Sequence, residues 1–182
     1  MRRFFIDMDG VTALFEPASI EEMTSPGFFL SRKPVESVIN MVKLLQKEKD
    51  VEVFVLSSYL LPISKEEKIA WNEKYTTIPR ENQLYVPYGQ DKAKFLDDHV
   101  GLREDDVLLD DFTQNLKTWN GVGVKLYNGI NGTHGTWDGY SIHSNMSSEM
   151  MCLQLNAISK ACHEMLLQRK EENYINMNFY HK

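Results

Sequence analysis

The sequence predicts an α/β domain in three layers, with helices on both faces of a central parallel sheet. Three observations predict it. Short apolar runs of strand length recur along the 182 residues. Segments with helical periodicity separate them. The runs are near-continuous rather than alternating, which is the pattern of strands buried on both faces. Strand and helix in alternation build βαβ units.

The elements follow in order. Phe4 to Ile6 is a short apolar run that stops at Asp7 and Asp9. Residues 12–33 come next, with Pro17, Pro26, Gly27, Phe28 and Phe29; they predict a small cap, because long loops in compact domains are often lids. Pro34 can start a helix with Val35, Val38, Ile39, Val42 and Leu45 on one face. Val51 to Leu56 is a strand rich in β-branched residues, ending at Ser57-Ser58. Ser64 to Tyr75 reads as a helix, with Ser64 as N-cap and Glu67 completing a capping box. Leu84 to Val86 is a third strand, and Asp91 to Val100 a helix. Val107 to Leu109 is a fourth strand, stopping at Asp110-Asp111, and a helix over Thr113 to Asn120 follows. Gly123 to Tyr127 is the fifth strand. Residues 128–143 carry Asn128-Gly129, Asn131-Gly132, Gly135 and Asp138-Gly139, turn chemistry suited to a small hairpin. Ser147 to Glu172 predicts a long amphipathic helix with Met151, Leu155, Ile158, Cys162, Met165 and Leu166 on its apolar side. That Met-rich face suits docking onto the domain, with a homodimer contact as the alternative.

Composition bounds the function. The length suits one domain of roughly 100–200 residues, spanning 1–182. Apolar residues make up 42%, enough for a core. A formal charge of -6 argues against polymeric nucleic acid as partner, which usually requires a basic face. It leaves room for a small anionic substrate, since a metal ion inverts the sign of a local site. Cys152 and Cys162 form no CxxC pair and fit a reducing compartment. The apolar start meets Asp7 too soon for a signal peptide, and no run spans a bilayer. The expectation is a cytoplasmic protein with no membrane partner.

In an open α/β sheet, ligands gather at the carboxyl ends of the strands. Asp7 and Asp9 follow the first run, Ser57 and Ser58 the second, and Asp110 and Asp111 the fourth. Lys92 opens the helix after the third. Each signal is weak alone, and the ordered set points to phosphate chemistry. A carboxylate can attack a phosphate dianion only if the charge is offset. Mg²⁺ on hard oxygen ligands supplies that, and Asp7 with Asp110 or Asp111 could hold it. Lys92 and a serine hydroxyl can bind the other phosphoryl oxygens. Asp9, two residues past Asp7, can protonate the leaving oxygen and then deprotonate the attacking water.

The segment Asp7-Met8-Asp9-Gly10-Val11 after an apolar run resembles motif I of the haloacid-dehalogenase-like (HAD) phosphohydrolase superfamily. Ser57 matches its motif II, Lys92 its motif III and Asp110-Asp111 its motif IV, in the family's order. A closer resemblance is to its 5'(3')-deoxyribonucleotidase branch, the cytosolic type C 5'-nucleotidases. It rests on Asp7 to Val11 followed by Phe15, on Pro26-Gly27-Phe28-Phe29 and Pro34, on Glu67-Lys68-Ile69-Ala70-Trp71-Asn72-Glu73-Lys74-Tyr75 after the serines, and on Gln90-Asp91-Lys92. The resemblance covers roughly two thirds of the chain. It implies a HAD fold and a magnesium-dependent 5'-nucleotidase acting through an aspartyl-phosphate on (deoxy)nucleoside monophosphates. By it, Asp7 is nucleophile and metal ligand, and Asp9 is acid/base and gives its backbone carbonyl to the metal. Asp111 is the third ligand, with Asp110 beside it. Ser58 and Lys92 contact phosphate, and Phe15, Phe28 and Phe29 line the substrate pocket. The short cap implies an open pocket; the Asn128–Gly139 segment and the last helix do not map onto the better-known members.

Blander readings stand beside these. A lone Asp-x-Asp is usually structural, and Ser57-Ser58 alone would be a cap or turn. Lys92 alone would be a solvated helix residue, and Asp110-Asp111 could cap the next helix through Thr113. Phe28 and Phe29 could be cap core. Trp71 and Tyr75 share a helix face and read as packing. Asn115 reads as a surface amide. His99, His134, His143, His163 and His181 show no metal-ligand spacing. The rival functions are a phosphatase of a sugar phosphate or other small phosphometabolite, and a non-catalytic nucleotide-binding protein. A receiver domain should carry its aspartate near position 57, where serines stand.

Overall fold

The structure is a computed structural model that describes residues 1–129 and 137–179, with side chains to 171. Asn131, Gly132, His134, Gly135 and His181 lie outside the described residues. The elements are β1 (Arg2–Ile6), α1 (Ile20–Thr24), α2 (Glu36–Leu45), β2 (Val51–Tyr59), α3 (Pro62–Tyr75), β3 (Gln83–Pro87), α4 (Lys92–His99), β4 (Val107–Asp110), α5 (Thr113–Lys117), β5 (Val122–Tyr127), β6 (Tyr140–His143) and α6 (Ser148–Phe179). A 3₁₀ turn at Arg80–Asn82 leads into β3.

The six strands form one sheet in the order β3-β2-β1-β4-β5-β6. Every neighbouring pair is parallel. Successive strand side chains point to opposite faces, and β1 divides its apolar residues accordingly. Phe4 and Ile6 join Val38, Val42, Leu45, Met151 and Leu155 in the core under α2 and α6. Phe5 joins Phe54, Leu96, Leu108, Leu116 and Trp119 on the face of α4 and α5. The three-layer α/β architecture expected from the sequence is therefore present. The chain runs outward from β1 through β2 to β3, then returns to the other side of β1 for β4. The strand order reverses between β1 and β4, the switch point at which open α/β sheets form a crevice.

Several boundaries differ from expectation. Ser64 does not cap α3. Pro62 opens that helix after Leu61, and the Ser64 hydroxyl accepts from Leu61 N at 2.9 Å inside the first turn. Proline's fixed φ starts the helix three residues sooner. Glu67, released from the capping role, reaches the cap. Pro34 precedes α2 and bridges Ala13 instead. The hairpin expected over 128–143 is not formed by β5 and β6, which pair parallel from Val124–Tyr140 to Tyr127–His143. α5 is shorter than expected, ending at Lys117.

The excursion after β1 leaves and returns at one place, since Val35 N donates to Thr12 O and Leu14 N to Lys33 O, each at 2.8 Å. The cap contains α1, closed at its start by a Ser19–Glu22 capping box. α6 docks by the residues expected: Met151 and Leu155 are in the core, with Ile158 and Cys162 packed against it. His163 Nδ1 lies 2.7 Å from Asp105. Beyond that contact Met165 and Leu167 are exposed. No helix among the described residues is long and apolar enough to cross a membrane.

Candidate active site

The acids after β1 and β4 meet at the switch point because both strands end there in parallel register, Ile6 beside Leu109. Asp7 N donates to Leu109 O at 3.0 Å, which extends the ladder one residue and fixes the Asp7 backbone. Asp7, Asp110 and Asp111 each offer a carboxylate oxygen, and the three lie within 4.8 Å of one another. All three are buried. Lys92, the first residue of α4, enters from the β3 side. Its Nζ is 3.0 Å from Asp7 Oδ1 and 2.7 Å from Asp110 Oδ2.

Asp110 and Asp111 differ in environment. Asp110 also accepts from Phe112 N at 2.8 Å and from Asn115 Nδ2 at 2.9 Å, so its oxygens are well supplied with donors. Asn115, which reads as a surface amide in sequence, braces the site. Asp111 lies on the wall of the cavity. Asn128 Nδ2 donates to Asp111 Oδ2 at 3.1 Å and to Gly10 O at 2.8 Å. Gly10 has φ +74°, and a Cβ there would sit 2.1 Å from Asp111 Oδ2. Only glycine permits both that backbone and the approach of Asp111 to the turn after β1.

Asp9 turns away from the other acids. Its Oδ2 accepts from Lys68 Nζ at 2.5 Å. The same ammonium donates to Ser58 O at 2.5 Å and to Ser57 Oγ at 3.1 Å. Lys68 is fully buried on α3 and ties the turn after β1 to the end of β2. Sequence reasoning gave it no role, because it sits among charged residues that resemble a solvated helix face. Lys125, also fully buried, donates to the Thr113 hydroxyl, so that residue anchors α5 to β5.

Charge and burial set the ionisation. Burial pushes Asp111 up to about 8, with Asp110 and Asp7 adding repulsion. Burial also raises Asp9, against the pull of Lys68 and with a push from Asp7. Asp110 is raised by burial despite the Lys92 ammonium beside it. Burial alone would depress Lys92; Asp110 and Asp7 more than offset it and hold it charged. Three close carboxylates share one such lysine, so ionising all three would leave an excess of negative charge. Among the described residues, the buried Oδ1 atoms of Asp7 and Asp9 have no well-aligned hydrogen-bond donor. Hard oxygen donors from three clustered carboxylates fit a hard divalent cation. Asp7 and Asp111 are the ligands best placed for one, since Asp110 is already satisfied. Asn128 would then orient Asp111 from behind. Asn128→Ala is expected to weaken divalent-ion binding by about 10–100-fold. Titration calorimetry on the variant and wild type checks this.

The cavity has a volume of about 540 Å³ and is lined by Asp7, Asp9, Ser58, Lys68, Lys92 and Asp111, with Phe15 and Phe29 of the cap among the apolar residues. Tyr59, Tyr88 and Phe112 complete an aromatic rim. The Ser57 hydroxyl is buried under Lys68 and does not reach the wall. Phe28 lies outside the cavity, on the outer side of the cap, with the Arg32 guanidinium 4.3 Å from its ring centroid. It packs edge-on against Phe29, so it supports the pocket rather than lining it. Trp71 is core, packed as expected against Tyr75 with the rings tilted by 46°, and clustered with Met8. The chain matches no protein-family model, and it matches none of the curated proteins.

Proposed function

We propose that the chain is a magnesium-dependent phosphomonoester hydrolase of the HAD type, acting on (deoxy)nucleoside monophosphates. The observation that carries the reading is Asp7 itself. It follows β1 at the switch point, lines a cavity, and has both Lys92 and Asp111 beside it. The four sequence motifs, at the carboxyl ends of β1, β2 and β4 and at the start of α4, support the same chemistry.

Asp7 and Asp111 would hold the magnesium, which offsets phosphoryl charge when bound. The Asp7 carboxylate attacks phosphorus, and the ester P–O bond breaks. Asp9, whose pKa burial raises, gives the leaving oxygen its proton. Asp9 then takes a proton from water as that water attacks the phosphoryl group on Asp7, which releases phosphate, frees the Asp7 carboxylate and returns Asp9 to its acid form. Lys92 and Lys68 balance charge on the phosphoryl oxygens. The aromatic rim of Phe15, Phe29, Tyr59, Tyr88 and Phe112 suits a flat leaving group such as a nucleobase.

The test is phosphate release with Mg²⁺ across nucleotides and sugar phosphates. Nucleoside monophosphates are expected to turn over fastest, and faster sugar-phosphate turnover would replace the substrate assignment. Asp7→Asn is expected to cut turnover by at least about a thousandfold, as loss of a nucleophile does. Turnover that survives in this variant removes Asp7 from the role. Tight binding of a monophosphate without release would favour a non-catalytic binding protein.

A further inference from the structure

α3 buries a polar stripe. Ser64, Glu67, Lys68, Trp71 and Asn72 fall on its inner side at helical spacing. Lys68 lines the cavity and holds Asp9. Glu67, its neighbour, points to the cap. Its two oxygens accept from Gly27 N at 2.5 Å and Phe29 N at 3.0 Å. One turn further along, Trp71 Nε1 donates to Arg32 O at 2.8 Å. One helix therefore grips the cap through Glu67 and Trp71 and grips the reacting groups through Lys68.

Glu67 is only 7% exposed and makes no ion pair with a lysine or arginine among the described residues. A buried carboxylate costs desolvation, and an apolar residue would fill the space at lower cost. What the carboxylate supplies is geometry: two acceptor oxygens for two backbone donors, Gly27 N and Phe29 N, on either side of Phe28. Gly27 has φ +86°, which bends the cap so that its N–H and that of Phe29 converge. The pinned residue is Phe29, 3% exposed, whose ring centroid lies 4.5 Å from Lys68 Nζ. Phe29 thus roofs the Lys68–Asp9 side of the cavity, where the leaving group of an ester bonded toward Asp7 would lie.

We propose that Glu67 is a positioning residue that sets leaving-group selectivity by fixing the Phe29 roof. The inference rests on the hydrolase reading above. A large planar leaving group would use the roof, and a small one would not reach it. Glu67→Gln keeps the size but turns an amide NH₂ toward one of the two backbone donors. Glu67→Asp keeps the charge but is too short to reach both, and it serves if the glutamine variant folds poorly.

Phosphate release is measured for a nucleoside monophosphate and for glycerol phosphate with wild type and both variants. The ratio of kcat/KM between the nucleotide and glycerol phosphate is expected to fall by about tenfold, chiefly through KM. Glycerol phosphate turnover is expected to change by less than about twofold. An equal fall for both substrates, or no change for either, overturns the selectivity role. Hydrogen exchange at the Gly27 and Phe29 amides gives a second readout that needs no turnover. Both amides are expected to lose protection in the variants, and retained protection overturns the pinning. Wild-type protein that releases phosphate from neither ester overturns the hydrolase reading, while the exchange result still decides the pinning separately.

Discussion

Asp111→Asn is expected to stabilise the metal-free protein at pH 8 and to remove its stabilisation by magnesium. Asp111 is 3% exposed, and burial with two neighbouring carboxylates raises its pKa to about 8. In the unfolded chain it returns to the ordinary value of 3.8. Between those values the folded state holds a proton that the unfolded state has lost. Stability therefore falls as pH rises through this window. The favourable contribution is fully present below about pH 4 and gone above about pH 8. Asp9 and Asp110 are raised by burial as well, and their slopes have the same sign. The metal-free wild type is expected to melt at a lower temperature at pH 8 than at pH 5. The asparagine variant, which never ionises there and can still accept from Asn128, should show a shallower decline. Magnesium is expected to invert the order in the wild type, because a cation held there would bind the deprotonated carboxylate and stabilise most where the proton is already lost. Thermal melts at both pH values, with chelator and with Mg²⁺, measure all four states. A metal-free wild type that gains stability between pH 5 and 8 would mean that burial does not control Asp111.

The acids that create this frustration were legible in the sequence because they are local. Asp7 and Asp110 each follow an apolar run, and a parallel sheet brings the ends of such runs together. The reversal of strand order beside β1 did the rest. Features set by distant partners were not legible. Asn and Gly after β5 signal a turn, yet a turn does not dictate strand direction, and β6 adds in parallel. Ser64 and Glu67 have capping-box spacing, but Pro62 starts the helix earlier and frees Glu67 for the cap. Lys68 was hidden by its charged neighbours. The signal was present in another form: Ser64, Glu67, Lys68 and Asn72 occupy the positions where an amphipathic helix normally puts apolar residues. Polar side chains buried on the inner stripe of a helix need partners, and here the partners are the cap, Asp9 and the end of β2. Phe28 and Phe29 are adjacent and alike in sequence. Only the turn around Gly27 decides that Phe29 faces inward while Phe28 packs under Arg32.

Lys92→Met is expected to destabilise the metal-free protein by about 3–5 kcal/mol, the usual result of removing one partner from a buried ion pair. Methionine fills most of the volume, so the loss reports charge rather than a cavity. Asp7 and Asp110 would then face each other with no ammonium between them. Asp110→Asn in the same background should recover much of the stability. Phe112 N still donates to the amide oxygen, Asn115 can turn its own amide so that its carbonyl accepts from the new NH₂, and one of the two repelling charges is gone. The pair is close enough that the two effects should not add, and a double-mutant cycle on denaturant midpoints measures the coupling. Phosphate release should follow the opposite course. Both Lys92→Met and the double variant are expected to lose at least about a hundredfold in turnover, because charge on the phosphoryl oxygens would lack its buried counter-ion. Recovery of stability without recovery of turnover separates the two roles of Lys92. If the double variant regains turnover as well, Lys92 only holds the acids apart. The asymmetry expected here follows from the charge count: folding alone would be served by fewer acids and no lysine, whereas an attacking carboxylate needs them all.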